Sequence, residues 1–191
     1  MCVTGIDAAP RLIAKAKVSR RANVHFMTGD AQLLDQLVKP NSFDGATCIL
    51  ALQNIEDYEA VLQACASVLK PGSPLVFVIN HPCFRAPRQS GWGFDELRKL
   101  QYRRVDSYLS PNQVSIQAHP GSDPGVATWS FHRPLLEYVK ALADSGFAVI
   151  GLEEWISHRQ SKPGPRAKAE NRARLEIPLF LAIRAITTST R

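Results

Sequence analysis

The sequence predicts an α/β fold built on a mostly parallel sheet, and three observations carry that expectation. Over residues 1–80, short apolar runs alternate with helical periods, strand then helix three times and then a further strand. Such alternation is the pattern of a parallel sheet with crossover helices. The runs from Phe43 to Leu52 and from Pro74 to Asn80 are apolar or small almost throughout, as expected of strands covered on both faces. Two later apolar runs, Phe147 to Trp155 and Leu175 to Ile186, are separated only by a basic Pro/Gly segment, so they should pair antiparallel.

The individual elements follow from local signals. Val3 to Ile6 is a short strand ending at Asp7. Leu12, Ile13 and Ala16 then recur at helical spacing, with Pro10 near the helix start, where its missing N–H costs nothing. Val24 to Met27 reads as the second strand, and Thr28-Gly29-Asp30 leads into a short helix over 31–38. Asp57 can cap the next helix, whose apolar positions Val61, Leu62, Cys65, Val68 and Leu69 form one stripe. Lys70-Pro71-Gly72 stops it. Residues 81–129 break the rhythm, being rich in Pro, Gly, Arg and aromatics. There, Phe94 to Gln101 reads as a short helix, and Tyr102 to Leu109 and Val126 to Phe131 as strands. A helix carrying Leu135, Leu136, Val139 and Leu142 follows, with Pro134 at its start and Gly146 at its C′ position.

Composition limits the class. A chain of 191 residues fits one domain, 1–191, and 45% hydrophobic with 21% charged residues excludes a disordered chain. The four cysteines, Cys2, Cys48, Cys65 and Cys83, form no CxxC pair and no zinc-ligand spacing. No metal centre is therefore expected, and a reduced, cytoplasmic setting fits best. No apolar run approaches the ~20 residues that span a bilayer, so no membrane partner is expected. The net charge of +6 gathers in two stretches, one at Arg85, Arg88, Arg98, Lys99, Arg103 and Arg104, the other at Arg159, Lys162, Arg166, Lys168, Arg172 and Arg174. A solvated face is the preferred reading of both; nucleic-acid binding is disfavoured but not excluded.

Chemistry should concentrate at strand ends. In doubly wound sheets, ligands lie beyond the carboxyl ends of the strands, where a carboxylate accepts hydrogen bonds from ribose hydroxyls. Asp7 stands at such a place, and Asp30 follows the next strand. Helix capping is the competing reading for both, and one carboxylate can do both jobs.

Gly5-Ile6-Asp7, Thr28-Gly29-Asp30-Ala31, Phe43-Asp44, Leu50-Ala51-Leu52-Gln53-Asn54-Ile55 and Val68-Leu69-Lys70-Pro71-Gly72 occur in this order. On these residues the chain resembles the class I S-adenosylmethionine-dependent methyltransferases, above all the small bacterial enzymes of the type 11 kind that act on diffusible acceptors. The resemblance implies a Rossmann-like sheet of strand order 3-2-1-4-5-7-6, a C-terminal antiparallel hairpin and an irregular insertion after the fifth family strand. It implies a cofactor-binding half over 1–80, an acceptor-site insertion or lid over 81–131, and a C-terminal helix with antiparallel strands over 132–191. It further implies S-adenosyl-L-methionine as cofactor, with Asp7 on the ribose diol and Asp30 on the adenine amino group. Ala31 would offer its backbone N–H to the ring, and Leu50 and Ala51 would lie beside the methionine portion.

The family begins with a strand and a GxGxG turn, and neither precedes Gly5 here. The expectation is therefore a truncated sheet with strand 1 absent, in which cofactor binding and activity are impaired. Its neighbours would lose a shared hydrogen-bond partner, at about 1 kcal/mol net per bond. Alternatively, Val3 to Ile6 shifts to pair directly with Phe43 to Leu52.

The expected function is methyl transfer to a small-molecule acceptor. Its alternatives are an RNA methyltransferase, a non-catalytic α/β binding or interaction protein, and a nicotinamide-dependent oxidoreductase, which Thr28-Gly29-Asp30 and the antiparallel ending disfavour. In-line transfer needs positioning above all, and a base only where the nucleophile must lose a proton. His81, directly after a strand end, is the first candidate for that base and His132 the second, with local packing as the competing reading for each. Trp92, Tyr102 and Trp129 are candidates to contact a planar acceptor, against the alternative that they form the insertion's own small core. Oligomeric state is not legible.

Overall fold

The computed structural model describes residues 1–18, 22–117 and 127–188. It opens with β1 (Val3–Asp7), α1 (Pro10–Lys17) and β2 (Val24–Thr28), and the two strands pair parallel in the register Val3↔Val24 to Asp7↔Thr28. Of the apolar residues expected to face inward from α1, Ile13 is buried while Leu12 is half exposed. The helix expected over 31–38 divides into a 3₁₀ turn (Ala31–Leu33) and one short α-helical turn, α2 (Leu34–Leu37).

The strand expected from Phe43 to Leu52 is shorter. It is β3 (Ala46–Ile49), with residues alternately half-buried and exposed rather than covered on both faces. Phe43 makes only a single bridge to Leu69, and Leu52–Asn54 coil into a 3₁₀ turn. The physical reason is pairing on one side only: β3 meets β4 (Pro74–Asn80) in parallel, and its other edge forms no ladder among the described residues. Between these two strands runs α3 (Tyr58–Val68), capped as expected by Asp57, whose Oδ1 accepts from the Ala60 N–H at 2.9 Å. Gly72 ends that crossover in the left-handed region, φ +76°.

The chain then builds two hairpins. The first joins β5 (Ser90–Asp95) to β6 (Leu100–Val105), the second β7 (Asn112–Gln117) to β8 (Ala127–His132). The expected helix over Phe94 to Gln101 is instead the first hairpin's end. Asp95 Oδ1 accepts from the N–H groups of Leu97 and Arg98 at 3.0 and 2.9 Å, and Lys99 adopts φ +51°. A side-chain-anchored turn of this kind competes directly with helix. Val126, placed in a strand by the sequence, lies outside the described residues.

α4 (Leu135–Asp144) starts after Pro134 and ends at Gly146, as expected. It leads into β9 (Phe147–Trp155). The segment expected to be a loop before the last strand contains α5 (Ala167–Glu176), and β10 (Phe180–Thr187) follows. Only Ala173 of α5 is buried, so the helix shows almost no apolar stripe. Its Ala, Lys, Glu and Arg residues favour helix through propensity instead, and α5 packs on β6.

β10 pairs antiparallel with both β4 and β9, giving the order β3-β4-β10-β9, while β1 and β2 form a sheet of their own. These match the segments 4-5-7-6 and 3-2 of the expected order. Direct pairing of Val3 to Ile6 with Phe43 to Leu52 does not occur; the β1–β2 unit is tied to the rest through its 3₁₀ turn and α2, both packed on α3. The core lies between α3, α4 and the larger sheet, where Leu62, Leu75, Phe77, Ile79, Leu142, Leu181 and Ile183 are almost wholly buried. Tyr138 closes it, edge-on to Tyr58 with ring centroids 5.4 Å apart.

Candidate functional site

Two carboxylates stand at the carboxyl ends of the small sheet. Asp7 ends β1, and its Oδ1 accepts from the Ala9 N–H at 2.7 Å, which turns the chain into α1. Asp30 follows β2 and caps the 3₁₀ turn: its Oδ1 accepts from the Gln32 N–H at 3.0 Å, and the Gln32 amide reaches both oxygens at 3.1 Å. Both aspartates are exposed, and Ala31 beside Asp30 is half-buried. Capping is thus real at both, and the outward edge of Asp7 stays open to a ligand.

The end of β3 carries backbone strain. Leu50 has φ +54°, a left-handed conformation that costs a branched residue about 1–3 kcal/mol and tends to mark functional turns. It is held by its N–H donating to the Val78 carbonyl at 2.8 Å, and by the Gln53 and Asn54 amides donating to its own carbonyl at 3.4 and 3.3 Å. Leu50 and Ala51 are exposed, while Asn54 Oδ1 is buried without a partner. Gln53 then joins this turn to the end of β4, its Oε1 accepting from the Asn80 N–H at 3.2 Å.

His81 follows directly and is only 2% exposed. Its Nε2 lies 2.7 Å from Glu154 Oε1 on β9, and its ring rests against Phe84. A carboxylate only accepts, so Nε2 carries the proton and donates. Nδ1 is buried and unpartnered. His132 is buried as well, its Nε2 donating to the Tyr108 carbonyl at 2.7 Å. The Tyr108 hydroxyl accepts from the first N–H of α4 at 2.9 Å, so this histidine joins the second hairpin to the helix.

Between these elements lies a small open cleft, with Gln53, Asn80, Arg85, His132, Arg133 and Tyr138 among its walls. Arg133 spans it from β8 to the turn after β3, donating through Nη2 to the carbonyls of Ile55 and Glu56, with its guanidinium 4.2 Å over Tyr58. Its Nη1 is buried and unpartnered. None of Gln53, Asn80, Arg85 and Arg133 was assigned a site role in sequence. Arg85 was read as part of a solvated basic stretch, Gln53 only within the motif after β3, and Asn80 and Arg133 only as neighbours of His81 and His132.

The aromatic candidates separate. Trp92 pairs across the first hairpin with Arg103, whereas Tyr102 pairs with Gly93 and covers it so closely that a Cβ there would sit 2.3 Å from the ring. Consecutive strand residues face opposite ways, so Trp92 and Tyr102 lie on opposite faces and cannot line one pocket together. Trp129 is 50% exposed and shares a face of β8 with Phe131, one step further from the cleft. Among the described residues no group of His, Cys, Asp and Glu could hold a metal ion, and no helix is long and apolar enough to cross a membrane.

Residues 1–77 match the family model described as "Methyltransferase domain". A solved S-adenosylmethionine-dependent methyltransferase from Mesorhizobium loti superposes with a TM-score of 0.73 at 26% identity, over 97% of this chain and 80% of that one. The chain is thus similar to S-adenosylmethionine-dependent methyltransferases, in sequence over residues 1–77 and in fold over nearly its whole length. Curated relatives align over part of the chain. A ubiquinone biosynthesis O-methyltransferase of Xanthomonas campestris pv. campestris is 37% identical over 75 residues, 38% of this chain and 31% of that protein. A demethylmenaquinone methyltransferase of Staphylococcus haemolyticus is 31% identical over 105 residues, 54% of this chain and 41% of that protein. The chain spans well under two thirds of the length of these curated relatives.

Proposed function

We propose that this chain binds S-adenosyl-L-methionine and transfers its methyl group to a small-molecule acceptor. The observation that carries the reading is the row of strand-end features, Asp7, Asp30 and the left-handed Leu50, leading to the cleft beside Asn80. The residues present fit the adenosine part of the cofactor. Asp7 offers an open carboxylate edge to the ribose diol, and Asp30 with the Ala31 N–H addresses the adenine. Leu50 and Ala51, exposed at the strained turn, flank the methionine portion. No GxGxG turn stands beside these residues, so the adenosine contacts carry the fit more than the methionine side does.

When bound, the cofactor supplies an electrophilic methyl carried on a sulfonium. The chain's own work is to hold an acceptor in line and, where needed, to take its proton. His81, oriented by Glu154 with Nδ1 unengaged, has the arrangement of a base steered by a carboxylate, and it sits buried between the cleft residues Asn80 and Pro82, not itself among the lining. His132 is second, its Nε2 proton committed to Tyr108. The cleft, with Trp92 near its rim, is the acceptor site. The names of the curated relatives point to small quinone-like acceptors, but the chain spans only part of their length, so the acceptor class rests on the cleft. Four free thiols, of which Cys65 is buried, suit a reducing, cytoplasmic setting.

Calorimetric titration of the chain with S-adenosyl-L-methionine tests this. Saturable binding that weakens in Asp7→Ala is the expected result. Absence of binding would move the chain to the non-catalytic binding-protein reading.

A further inference from the structure

The two basic stretches, separate in sequence, meet in space. α5 packs on β6, and Arg166 pairs with Glu96 while its guanidinium lies 4.5 Å over Phe94. The second stretch is thereby fastened to the first hairpin. One consequence is a group of three arginines, Arg85, Arg103 and Arg174, of which Arg85 lines the cleft. Arg85 and Arg103 flank the Trp92 ring, with guanidinium carbons 5.9 and 5.2 Å from its centroid. Burial, and after it the positive charges of Arg103 and Arg174, hold the Arg85 guanidinium below its ordinary value.

Among the described residues none of the three forms an ion pair. The acidic side chains nearby are engaged elsewhere: Glu96 with Lys99 and Arg166, Asp106 with Arg104, and Asp95 with its own turn. Arg103 is partly committed, donating to the Phe84 carbonyl at 2.6 Å and the Ser90 hydroxyl at 2.8 Å. Arg174 donates to the Ser161 hydroxyl at 3.3 Å, and its Nε is buried without a partner. Arg85 lines the cleft, and among the described residues its side chain makes no hydrogen bond. Deeper in, Arg133, only 8% exposed, holds its unpartnered Nη1. Partly buried cations without a counter-charge are costly, and an anion that completes them recovers that cost.

We infer that the cleft takes a small acceptor bearing a carboxylate, which the uncommitted guanidinium fork of Arg85 grips at the rim beside Trp92, with Arg103 and Arg174 behind it. One free fork matches one planar carboxylate in a bidentate pair. The indole offers a face to the body of the same molecule, and the amides of Gln53 and Asn80 lie further along the cleft wall. A polyanion such as RNA fits less well, because the charges converge on one pocket mouth instead of following a strip. The inference rests on the acceptor reading of the cleft given above and deepens it.

The test uses the chain without cofactor, so it can succeed or fail apart from methyl transfer. Benzoate and its neutral isostere benzamide are titrated while the indole N–H signal of Trp92 is followed by ¹H–¹⁵N spectroscopy, assigned through Trp92→Phe. Benzoate is expected to move that signal with an affinity at least about tenfold above benzamide's. Arg85→Met should abolish the preference, Arg85→Lys should keep part of it, and Arg98→Met, on the exposed turn, should leave it unchanged. Where Arg85→Met does not fold, Arg85→Gln takes its place. Equal affinity for the two probes, no binding of either, or equal loss in Arg98→Met overturns the inference. So does phenyl phosphate or a short oligoribonucleotide moving the signal at about tenfold lower concentration than benzoate. S-adenosyl-L-methionine binding, measured separately, reports on the methyltransferase reading alone.

Discussion

Glu154 Oε1 lies 2.7 Å from His81 Nε2, joining the outer strand β9 to the end of β4 across β10. The bond fixes the imidazole with its proton toward the carboxylate and leaves Nδ1 unpaired within the fold. His81→Ala is expected to leave cofactor affinity intact and to lower turnover at least about tenfold. Glu154→Gln, which can still accept from Nε2, should lose less than Glu154→Ala. Release of S-adenosylhomocysteine under saturating acceptor checks both, and unchanged turnover in His81→Ala removes His81 from the chemistry.

Asp7 and Asp30 differ in what else they hold. Asp7→Ala should weaken S-adenosyl-L-methionine binding about ten- to hundredfold, the worth of a hydrogen bond to a charged group. Asp30→Ala should weaken it too, and should also cost stability of about 1 kcal/mol because the cap on Gln32 is lost. Calorimetry and urea melts on the two variants separate these effects.

α4 offers an internal control for the core. Leu142 is fully buried, and Leu142→Ala is expected to cost about 2–5 kcal/mol. Leu136, on the same helix, is 66% exposed, and its replacement by Ala should stay within about 0.5 kcal/mol. Equal losses in urea unfolding would mean that α4 does not pack on the sheet as described.

Burial pushes the Cys65 thiol up to about 12 from its ordinary 9.0. Because its folded value is raised, the stability it contributes is fully present below pH 9 and is lost as pH rises from about 9 toward 12. Unfolding midpoints measured across that window should fall, and fall less steeply in Cys65→Ala. At pH 8, a thiol reagent should modify exposed Cys2 first and Cys65 only on unfolding.

The first 80 residues were the most legible part. Caps and stop signals act within a few residues of themselves, so Asp57, Gly72 and Gly146 stand where their residue types place them. The buried stripe Val61, Leu62, Cys65, Val68 and Leu69 was equally plain, since 3.6-residue spacing needs no partner to be seen. Each error has its own physical cause. β3 was read too long because apolar content does not report whether an edge is paired. The 94–101 segment was read as helix because the Asp95 turn outweighs weak helical propensity. α5 was missed because its Ala, Lys, Glu and Arg residues carry almost no apolar period.

Sequence by itself determined the order of the strands and helices over residues 1–80, the caps between them, and the strand-end aspartates, because those signals are local. Tertiary structure decided which residues share a pocket. It placed Trp92 and Tyr102 on opposite faces and buried His81 against Glu154, 73 residues away. It also drew Arg85, Arg103 and Arg174 together from two stretches that looked like separate solvated runs. These relations depend on the packing of α5 on β6 and on the pairing of β10 with β4 and β9. Contacts between residues so far apart in the chain leave no periodicity for a sequence to display.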